Sequence, residues 1–170
     1  MAKVLLETAR LRLEELEDGD APFVVALLNT DGFLQNIGDR GVRTEADARR
    51  YLAEGPRASY AAHGFGLWKV SRREDGVAVG LCGLLRRDTL PHADLGYAFL
   101  PAFEGRGYAT EAGAHVLDFA FGTRGLDTVL AIVNPDNAGS IRVLEKLGFA
   151  SQGVQPVGDK TLLVMSASAR

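Results

Sequence analysis

The sequence predicts an α/β protein with a mixed β-sheet and helices on both faces of that sheet. Three observations predict this class: an opening strand followed by helices, then apolar runs joined by tight turns, then a strand–helix–strand–helix–strand order. Apolar runs joined by tight turns indicate antiparallel pairs, whereas a strand that returns through a helix is typical of parallel pairing. The sheet is therefore expected to combine both orientations.

Seven stretches have the pattern of β-strands, either alternating apolar and polar residues or short apolar runs between turn residues. These stretches are residues 10–16, 66–72, 77–85, 94–100, 128–133, 149–157 and 160–165. The Asp75-Gly76 pair between the second and third stretches is a strong hairpin signal. The third stretch is apolar on both faces, which predicts a central position in the sheet. In the fourth stretch, the alternation places Asp94, Gly96 and Ala98 on one face and Leu95, Tyr97 and Phe99 on the other.

Four longer helices are predicted from apolar stripes and from the residues at their ends. The first has Pro22 in its first turn, the second starts at Thr44, the third runs from Tyr108 to Phe121, and the fourth runs over about 138–147 after Asn137. A short helical turn is expected over 59–62. The segment 30–42 is rich in Gly, Asn and Asp and is expected to be a loop.

Length and composition narrow the class of protein. The 170 residues are expected to form one domain spanning 1–170, and the net charge of −3 disfavours a general nucleic-acid binder, which is usually basic. The same charge is compatible with a cationic or neutral amine as substrate. The single Cys82 fits a reducing compartment, and no apolar run approaches the length that spans a membrane. We therefore expect a cytoplasmic monomer or homodimer with no nucleic-acid or membrane partner.

The stretch Glu104-Gly105-Arg106-Gly107 connects the 94–100 strand to the third helix. A glycine turn that opens a helix can bind an anion, because the first N–H groups of the helix have no intrahelical partner. Taken alone, the pattern is also compatible with an ordinary tight turn. It matches only two glycines of the dinucleotide-binding fingerprint, and the chain contains no nucleotide-hydrolase loop.

A second cluster, Ala131-Ile-Val-Asn-Pro-Asp-Asn137 followed by a helix and Gly148-Phe149, accompanies this turn. Together with Gly107-Tyr-Ala-Thr-Glu-Ala112, Leu6-Glu-Thr-Ala-Arg-Leu-Arg-Leu13 and His63-Gly-Phe-Gly-Leu-Trp68, it closely resembles the GCN5-related N-acetyltransferases (GNAT), specifically their RimJ/RimL-like ribosomal-protein alanine acetyltransferase branch. The resemblance covers nearly the whole chain. It implies a mixed, mostly antiparallel sheet of six to seven strands, splayed in the middle and flanked by about four helices.

The resemblance also implies a co-substrate, acetyl-CoA, and no metal. The pyrophosphate would lie on the backbone of the glycine turn, and the pantetheine arm would lie in the splay between the 94–100 and 128–133 strands. The residues expected to contact the cofactor are Phe99, Leu100, Gly105, Arg106, Gly107, Tyr108, Ala109, Thr110, Asn137 and Ser140. Glu104 departs from the Gln or Arg of the family signature, so no side-chain contact is expected from it.

The implied reaction transfers an acetyl group to a primary amine, either a peptide N-terminus or a small molecule. Asp94 occupies the position of a strand carboxylate that serves as base in some relatives; alternatively, it is a solvated acid after a turn. Ser140 lies one helical turn beyond Asn137, where its hydroxyl could reach the sulfur; alternatively, it caps its own helix. Leu144 stands where many relatives have a tyrosine that protonates the thiolate.

Six further residues are assigned either to packing or to the region of the acceptor pocket. Cys82 lies among apolar strand residues and is expected to be inert packing, which favours direct attack of the amine in a ternary complex over an acyl-cysteine route. Trp68 and Tyr97 are expected in the core. Phe33, Asn36 and Tyr51 fall in the region that builds the acceptor pocket in relatives.

Two other classes of protein are also compatible with the sequence. One is a non-catalytic acyl-CoA-binding or protein-interaction module with the same fold, for which Glu104 and Leu144 leave room. The other is a nicotinamide-binding oxidoreductase. The identity of the acceptor amine is also open, because the segments 30–43 and 155–160, which would surround it, are the least patterned parts of the chain.

Overall fold

The computed structural model describes residues 3–169, which form one eight-stranded sheet with six α-helices. The strands are β1 Val4–Glu7, β2 Leu11–Glu14, β3 Leu67–Arg72, β4 Ala78–Leu85, β5 Asp94–Phe99, β6 Thr128–Val133, β7 Ala150–Val157 and β8 Lys160–Ser168. The helices are α1 Ala21–Leu28, α2 Asp31–Asn36, α3 Glu45–Glu54, α4 Pro56–His63, α5 Tyr108–Asp118 and α6 Ala138–Lys146. No helix within residues 3–169 is both long and apolar enough to cross a membrane.

The strand order is β1-β2-β3-β4-β5-β6-β8-β7, and every neighbouring pair is antiparallel except β5 and β6. The mixed α/β class and the mostly antiparallel sheet are therefore confirmed, and β4 has the predicted central position. The expected strand number is corrected from six or seven to eight, because Val4–Glu7 pairs with β2 at the edge of the sheet. This strand is only four residues long, so its pattern is hard to distinguish from a loop.

Two helical segments exceed the four helices expected. Residues 31–36 form α2 rather than a loop, because the Thr30 side chain caps the helix by accepting a hydrogen bond from the Phe33 N–H at 3.2 Å. The short turn expected at 59–62 is a complete helix, α4, with Pro56 at its start and Gly64 in a left-handed conformation at its end. After α5 the chain continues through a π-helical turn, Phe119–Thr123.

The helices cover both faces of the sheet, as predicted. Neighbouring residues of β4 show the division: Leu81 packs with α1 and α3, whereas Cys82 packs in the cluster that contains α5 and α6. Gly83 allows β3 to approach closely, since a Cβ there would lie 1.9 Å from the carbonyl oxygen of Gly66. Because Leu81 and Cys82 belong to different clusters, the two halves of the core meet at β4.

The sheet opens between β5 and β6. Asp94 and Leu130 are the one aligned pair between these parallel strands within the described chain, and the Leu130 N–H donates to the Ala93 carbonyl at 2.9 Å. β5 continues in register with β4, and β6 continues in register with β8, so the two strands diverge beyond this point. The divergence leaves the facing edge of β5 without a strand partner.

Candidate active site

A cleft of about 980 Å³ lies where β5 and β6 separate. The beginnings of α5 and α6 line it on one face of the sheet, and α2, α3 and the loop after α2 line it on the other. Since helices from both faces contribute, the cleft passes between the strands from one side of the sheet to the other. A molecule bound on one side could therefore meet a molecule bound on the other.

The N-terminus of α5 forms one end of this cleft. Gly105 and Gly107 have φ values of +74° and +81°, a left-handed conformation that glycine adopts without strain. Gly107 is the N-cap and supplies no side chain to cap the 11-residue helix. Both glycines line the cleft with Tyr108, Ala109 and Thr110. The first turn thus offers backbone N–H groups and the positive end of a helix dipole to an anion.

Two of the expected cofactor residues do not line the cleft. Arg106 is one of them: its guanidinium lies 5.7 Å from the centre of the Phe103 ring. The backbone carbonyl of Arg106 accepts a hydrogen bond from the Arg10 side chain at 3.0 Å. The Leu100 N–H donates to the Val79 carbonyl at 2.9 Å, so this group is already paired within the sheet. Phe99, one residue earlier, does line the cleft, as does the exposed Glu104.

The turn between β1 and β2 holds the glycine turn in place. Glu111 in the first turn of α5 accepts hydrogen bonds from Thr8 and from the Arg10 Nε, the latter at 2.7 Å. Burial opposes ionisation of Glu111, but its hydrogen bonds with Thr8 and Arg10 outweigh that effect and lower its pKa. Arg10 also lies over the Tyr108 ring at 4.6 Å. These contacts join two separate sequence motifs and support the glycine turn at the start of α5.

At the beginning of α6, the side chains of Asn137 and Ser140 make different hydrogen bonds. The Asn137 Oδ1 caps the helix by accepting a hydrogen bond from the Ser140 N–H at 3.2 Å. The Ser140 Oγ lies 2.5 Å from the Tyr97 hydroxyl, which belongs to β5. Asn137 is thus the cap of α6, while the Ser140 hydroxyl takes part in a contact across the cleft. Leu144, one turn further, is buried and also lines the cleft.

Tyr97 was expected in the core, and the structure corrects this in part. The ring is half-buried against the core, but the residue lines the cleft and its hydroxyl reaches α6. Burial raises the pKa of Tyr97 to about 12, although the hydrogen bond with Ser140 opposes the shift. The phenol is therefore protonated at neutral pH and can donate a hydrogen bond. Strand parity predicts that Tyr97 shares a face with Leu95 and Phe99, and this face packs in the cluster that contains α5 and α6. Parity alone does not distinguish a core side chain from one that lines a cleft.

Asp94 is a buried carboxylate, which contradicts the alternative of a solvated acid. Its side chain is 1% exposed, and both oxygens lie near the Arg87 Nε, at 3.0 and 3.2 Å. Burial raises the pKa of Asp94, and the Arg87 charge opposes that shift. The β4–β5 register is unbroken, so Asp94 shares one face of β5 with Gly96 and Ala98, as predicted. Asp94 also lines the cleft.

The three residues expected near the acceptor, Phe33, Asn36 and Tyr51, all line the cleft on the α2 and α3 side. Two arginines that the sequence interpretation missed, Arg40 and Arg87, line the same region. Burial raises the pKa of Tyr51, and the charges of these two arginines oppose the shift. The sequence contained a signal for Arg40, because this residue lies inside the segment 30–43 that was expected to surround the acceptor.

Cys82 does not belong to the site. It is fully buried in β4, outside the set of residues that line the cleft, and burial raises the pKa of its thiol to about 12. A thiol with such a pKa is almost entirely un-ionised at neutral pH and is a poor nucleophile.

The cleft lies between diverging parallel strands and has a glycine-capped helix at one end. Comparison with known families identifies the class of protein to which this arrangement belongs. Residues 10–150 match the model of the GNAT acetyltransferase domain. The chain therefore belongs to the GNAT family, and it is an acetyltransferase. The family uses acetyl-CoA as its acetyl donor.

Two relatives are similar to this chain over most of its length. YkkB of Bacillus subtilis (strain 168) is 31% identical over 150 residues, which cover 87% of this chain and 86% of YkkB. The N-acetyltransferase YoaA of the same organism is 28% identical over 151 residues, covering 88% of this chain and 85% of YoaA.

Solved structures agree in fold. The acetyltransferase from Agrobacterium tumefaciens str. C58 has a TM-score of 0.83 at 27% identity, covering 96% of this chain and 94% of that one. RimL, the ribosomal L7/L12 acetyltransferase solved in complex with coenzyme A, has a TM-score of 0.81 at 13% identity, covering 98% of each chain. RimL shares the fold, as expected from the resemblance to the RimJ/RimL-like branch.

Proposed function

We propose that this protein binds acetyl-CoA in the cleft between β5 and β6 and transfers its acetyl group directly to a primary amine. The observation that carries the proposal is that the strand opening leads to the N-terminus of α5. A pyrophosphate bound there would allow the pantetheine arm to extend along the open edge of β5. Both ends of coenzyme A would then have partners of suitable chemistry in one continuous cleft.

Several groups support the binding mode. The first-turn N–H groups of α5, from Gly107 to Thr110, suit a pyrophosphate. The amides of pantetheine can pair with backbone groups of β5 near Phe99, much as an added strand would. Arg142 and Lys146 line the cleft from α6 and add positive charge for phosphate groups. The exposed Glu104 adds one negative charge at the margin of the cleft, and this charge opposes the binding of phosphate groups.

Transfer begins when the neutral amine attacks the thioester carbonyl carbon. Asp94 takes the proton that the amine loses, a role supported by its position on the cleft wall and by burial, which makes the carboxylate more basic. The C–S bond then breaks, and the departing thiolate takes a proton from the Ser140 hydroxyl. Tyr97 fixes that hydroxyl and can replace its proton through their hydrogen bond. Solvent then protonates Tyr97 again, and Asp94 releases the proton of the amine to solvent, which completes the balance.

Direct transfer is favoured over an acyl-enzyme route by the position of Cys82. An acyl-cysteine would require a thiolate next to the acetyl group, but this thiol is buried in β4 and lies outside the cleft lining. The thioester would therefore react with the amine while both substrates are bound.

Replacing Gly105 by Ala tests the proposed cofactor site. Gly105 lines the cleft, and an alanine there must adopt a left-handed conformation that costs about 1–2 kcal/mol. We expect the glycine turn to shift and acetyl-CoA binding, measured by titration calorimetry, to weaken about ten-fold or more.

Gly148→Ala is the matched control for this experiment. Gly148 also has a positive φ, +96°, and open space around its Cα, but it lies outside the cleft lining. It should reproduce the loss of stability without the loss of affinity. Equal affinity losses in both variants, or no acetyl-CoA binding by the unmodified protein, would contradict the proposal.

A further inference from the structure

The acceptor side of the cleft has an excess of positive charge. Arg40, Arg87 and Lys160 line it, whereas the carboxylates lining the same region are Asp94 and Asp159. Asp94 is already paired with Arg87. A polycationic acceptor such as a polyamine would meet like charges here, so the charge distribution disfavours that class.

Arg87 is held in a way that leaves its terminal nitrogens available. Its Nε contacts both oxygens of the buried Asp94, and its two Nη groups have no hydrogen-bond partner within residues 3–169. The side chain is 34% exposed. A guanidinium anchored through Nε presents its remaining N–H groups in a fixed fork, which matches the two oxygens of a carboxylate.

Arg40 and Lys160 lie close to one another near Gly38. A Cβ placed on Gly38 would be 3.1 Å from the Lys160 Nζ and 3.6 Å from an Arg40 Nη. Lys160 donates to the Ile37 carbonyl at 2.7 Å, and the neighbouring Asp39 is paired with Arg43 at 2.6 Å. Arg40 has no acidic partner in the described part of the chain. Its charge is therefore uncompensated at the margin of the cleft.

We propose that the acceptor is a primary α-amine that carries a carboxylate close to the amine, and that Arg40 and Arg87 bind this carboxylate. The inference rests on the proposed function, since it concerns the acceptor of that reaction. The cations also lower the pKa of a bound ammonium group, which makes the neutral nucleophile more abundant. The α-amine of a peptide, with a pKa of ~8, becomes neutral more readily than a side-chain amine with a pKa of ~10.

The test compares acceptors that differ in this one charge. Initial rates of CoA release are measured with free amino acids and their carboxamides, and with peptides bearing Asp or Asn at the second position. We expect kcat/KM for the carboxylate form to exceed that for the amide form by about ten-fold or more. A preference confined to free amino acids identifies a small-molecule acceptor, and a preference confined to acidic peptides identifies a peptide N-terminus.

Arg40→Gln should reduce the ratio of the two kcat/KM values by about ten-fold. Arg49→Gln, which removes an exposed arginine of α3 outside the cleft, should leave the ratio unchanged. Arg87→Lys provides a second variant that keeps the charge near Asp94 but removes the fork, and it should also reduce the ratio.

Equal rates for carboxylates, carboxamides and polyamines would overturn the inference while leaving acetyl transfer intact. An unchanged ratio in Arg40→Gln would also overturn it. If no amine of the panel releases CoA, the proposed function fails, and the inference about its acceptor fails with it.

Discussion

Asp94 and Arg87 form an ion pair in the wall of the cleft, on the side where we propose that the acceptor binds. The carboxylate is buried, so leaving it charged without a partner would be costly, and Arg87 supplies that partner from the loop after β4. Burial still dominates and raises the pKa of Asp94 above its ordinary value of 3.8. One residue can thus combine a structural ion pair with the basicity that proton abstraction requires.

Asp94→Asn should reduce kcat by about 100-fold or more, because an amide cannot take the proton of the amine. In the unmodified protein, activity should rise with pH as Asp94 loses its proton, at a pH above 3.8 because its pKa is raised. In the variant, this rise of kcat with pH should be absent, while the affinity for acetyl-CoA changes little.

Asp88→Asn is the control for this prediction, since Asp88 is exposed in the same loop and lies outside the cleft lining. Thermal melting would show whether Asp94→Asn remains folded with Arg87 unpaired. A folded variant with unchanged kcat and an unchanged pH profile would remove Asp94 from the proposed chemistry.

Single residues also show how far sequence reasoning extends. The alternation along β5 correctly placed Asp94 with Gly96 and Ala98, because side-chain direction in a strand depends only on parity. The partner of Asp94 was not predictable in the same way. Arg87 lies seven residues earlier, across a loop whose path depends on tertiary packing. The placement of the Tyr97 hydroxyl likewise depends on the distance between two elements.

At the scale of elements, β5 and α6 contact each other across the cleft through Tyr97 and Ser140. Asn137 caps α6 and fixes the backbone of its first turn, so the Ser140 hydroxyl has a defined position relative to β5. We interpret this contact as the replacement for the proton-donating tyrosine that many relatives have where this chain has Leu144. Ser140 would donate the proton, and Tyr97, on the opposite wall of the cleft, would replace it.

Tyr97→Phe tests this interpretation because it removes the hydroxyl and keeps the ring. We expect kcat to fall about ten-fold while acetyl-CoA affinity changes less than about two-fold. Ser140→Ala should have a similar effect, and the double variant should be no worse than either single variant, since both act through one hydrogen bond.

Tyr60→Phe is the matched control, because the Tyr60 hydroxyl is also largely shielded from solvent and donates a hydrogen bond, to the Leu67 carbonyl at 2.5 Å. Tyr60 itself is not among the residues that line the cleft. It should lower stability without a selective loss of kcat. Additive effects of Tyr97→Phe and Ser140→Ala would argue against a shared role.

Most elements were predictable because their signals are local. Asp75-Gly76 marks a hairpin, Asn137 caps a helix, and apolar stripes identify α5 and α6. The two elements that were missed altogether, β1 and α2, are among the shortest. β1 has four residues and is stabilised by pairing with β2, and α2 has six residues and depends on the Thr30 cap within a segment rich in loop-forming residues. Such elements form through contacts with the rest of the fold, which a local pattern does not contain.

At the scale of the whole molecule, the break between β5 and β6 organises the function. Each strand keeps its other neighbour, so the opening costs the sheet only the pairing between these two. The glycine turn lies at one end of the opening and the cationic acceptor region at the other. Sequence motifs predicted the glycine turn and the cap of α6, where we propose that the cofactor binds, because glycines and helix caps have fixed conformational roles. The acceptor end was not predictable in detail, since it combines residues from the loop after α2, the loop after β4 and the start of β8.

The central claim is that one acetyl group passes directly from acetyl-CoA to an amine within this cleft. The most direct measurement mixes the protein with acetyl-CoA and the acceptor panel, then follows CoA thiol, acetylated amine and intact protein by mass spectrometry. We predict equal amounts of thiol and acetylated amine, with no acetylated protein at any time. Acetyl-CoA binding without thiol release, or an acetylated protein that precedes the product, would contradict the claim.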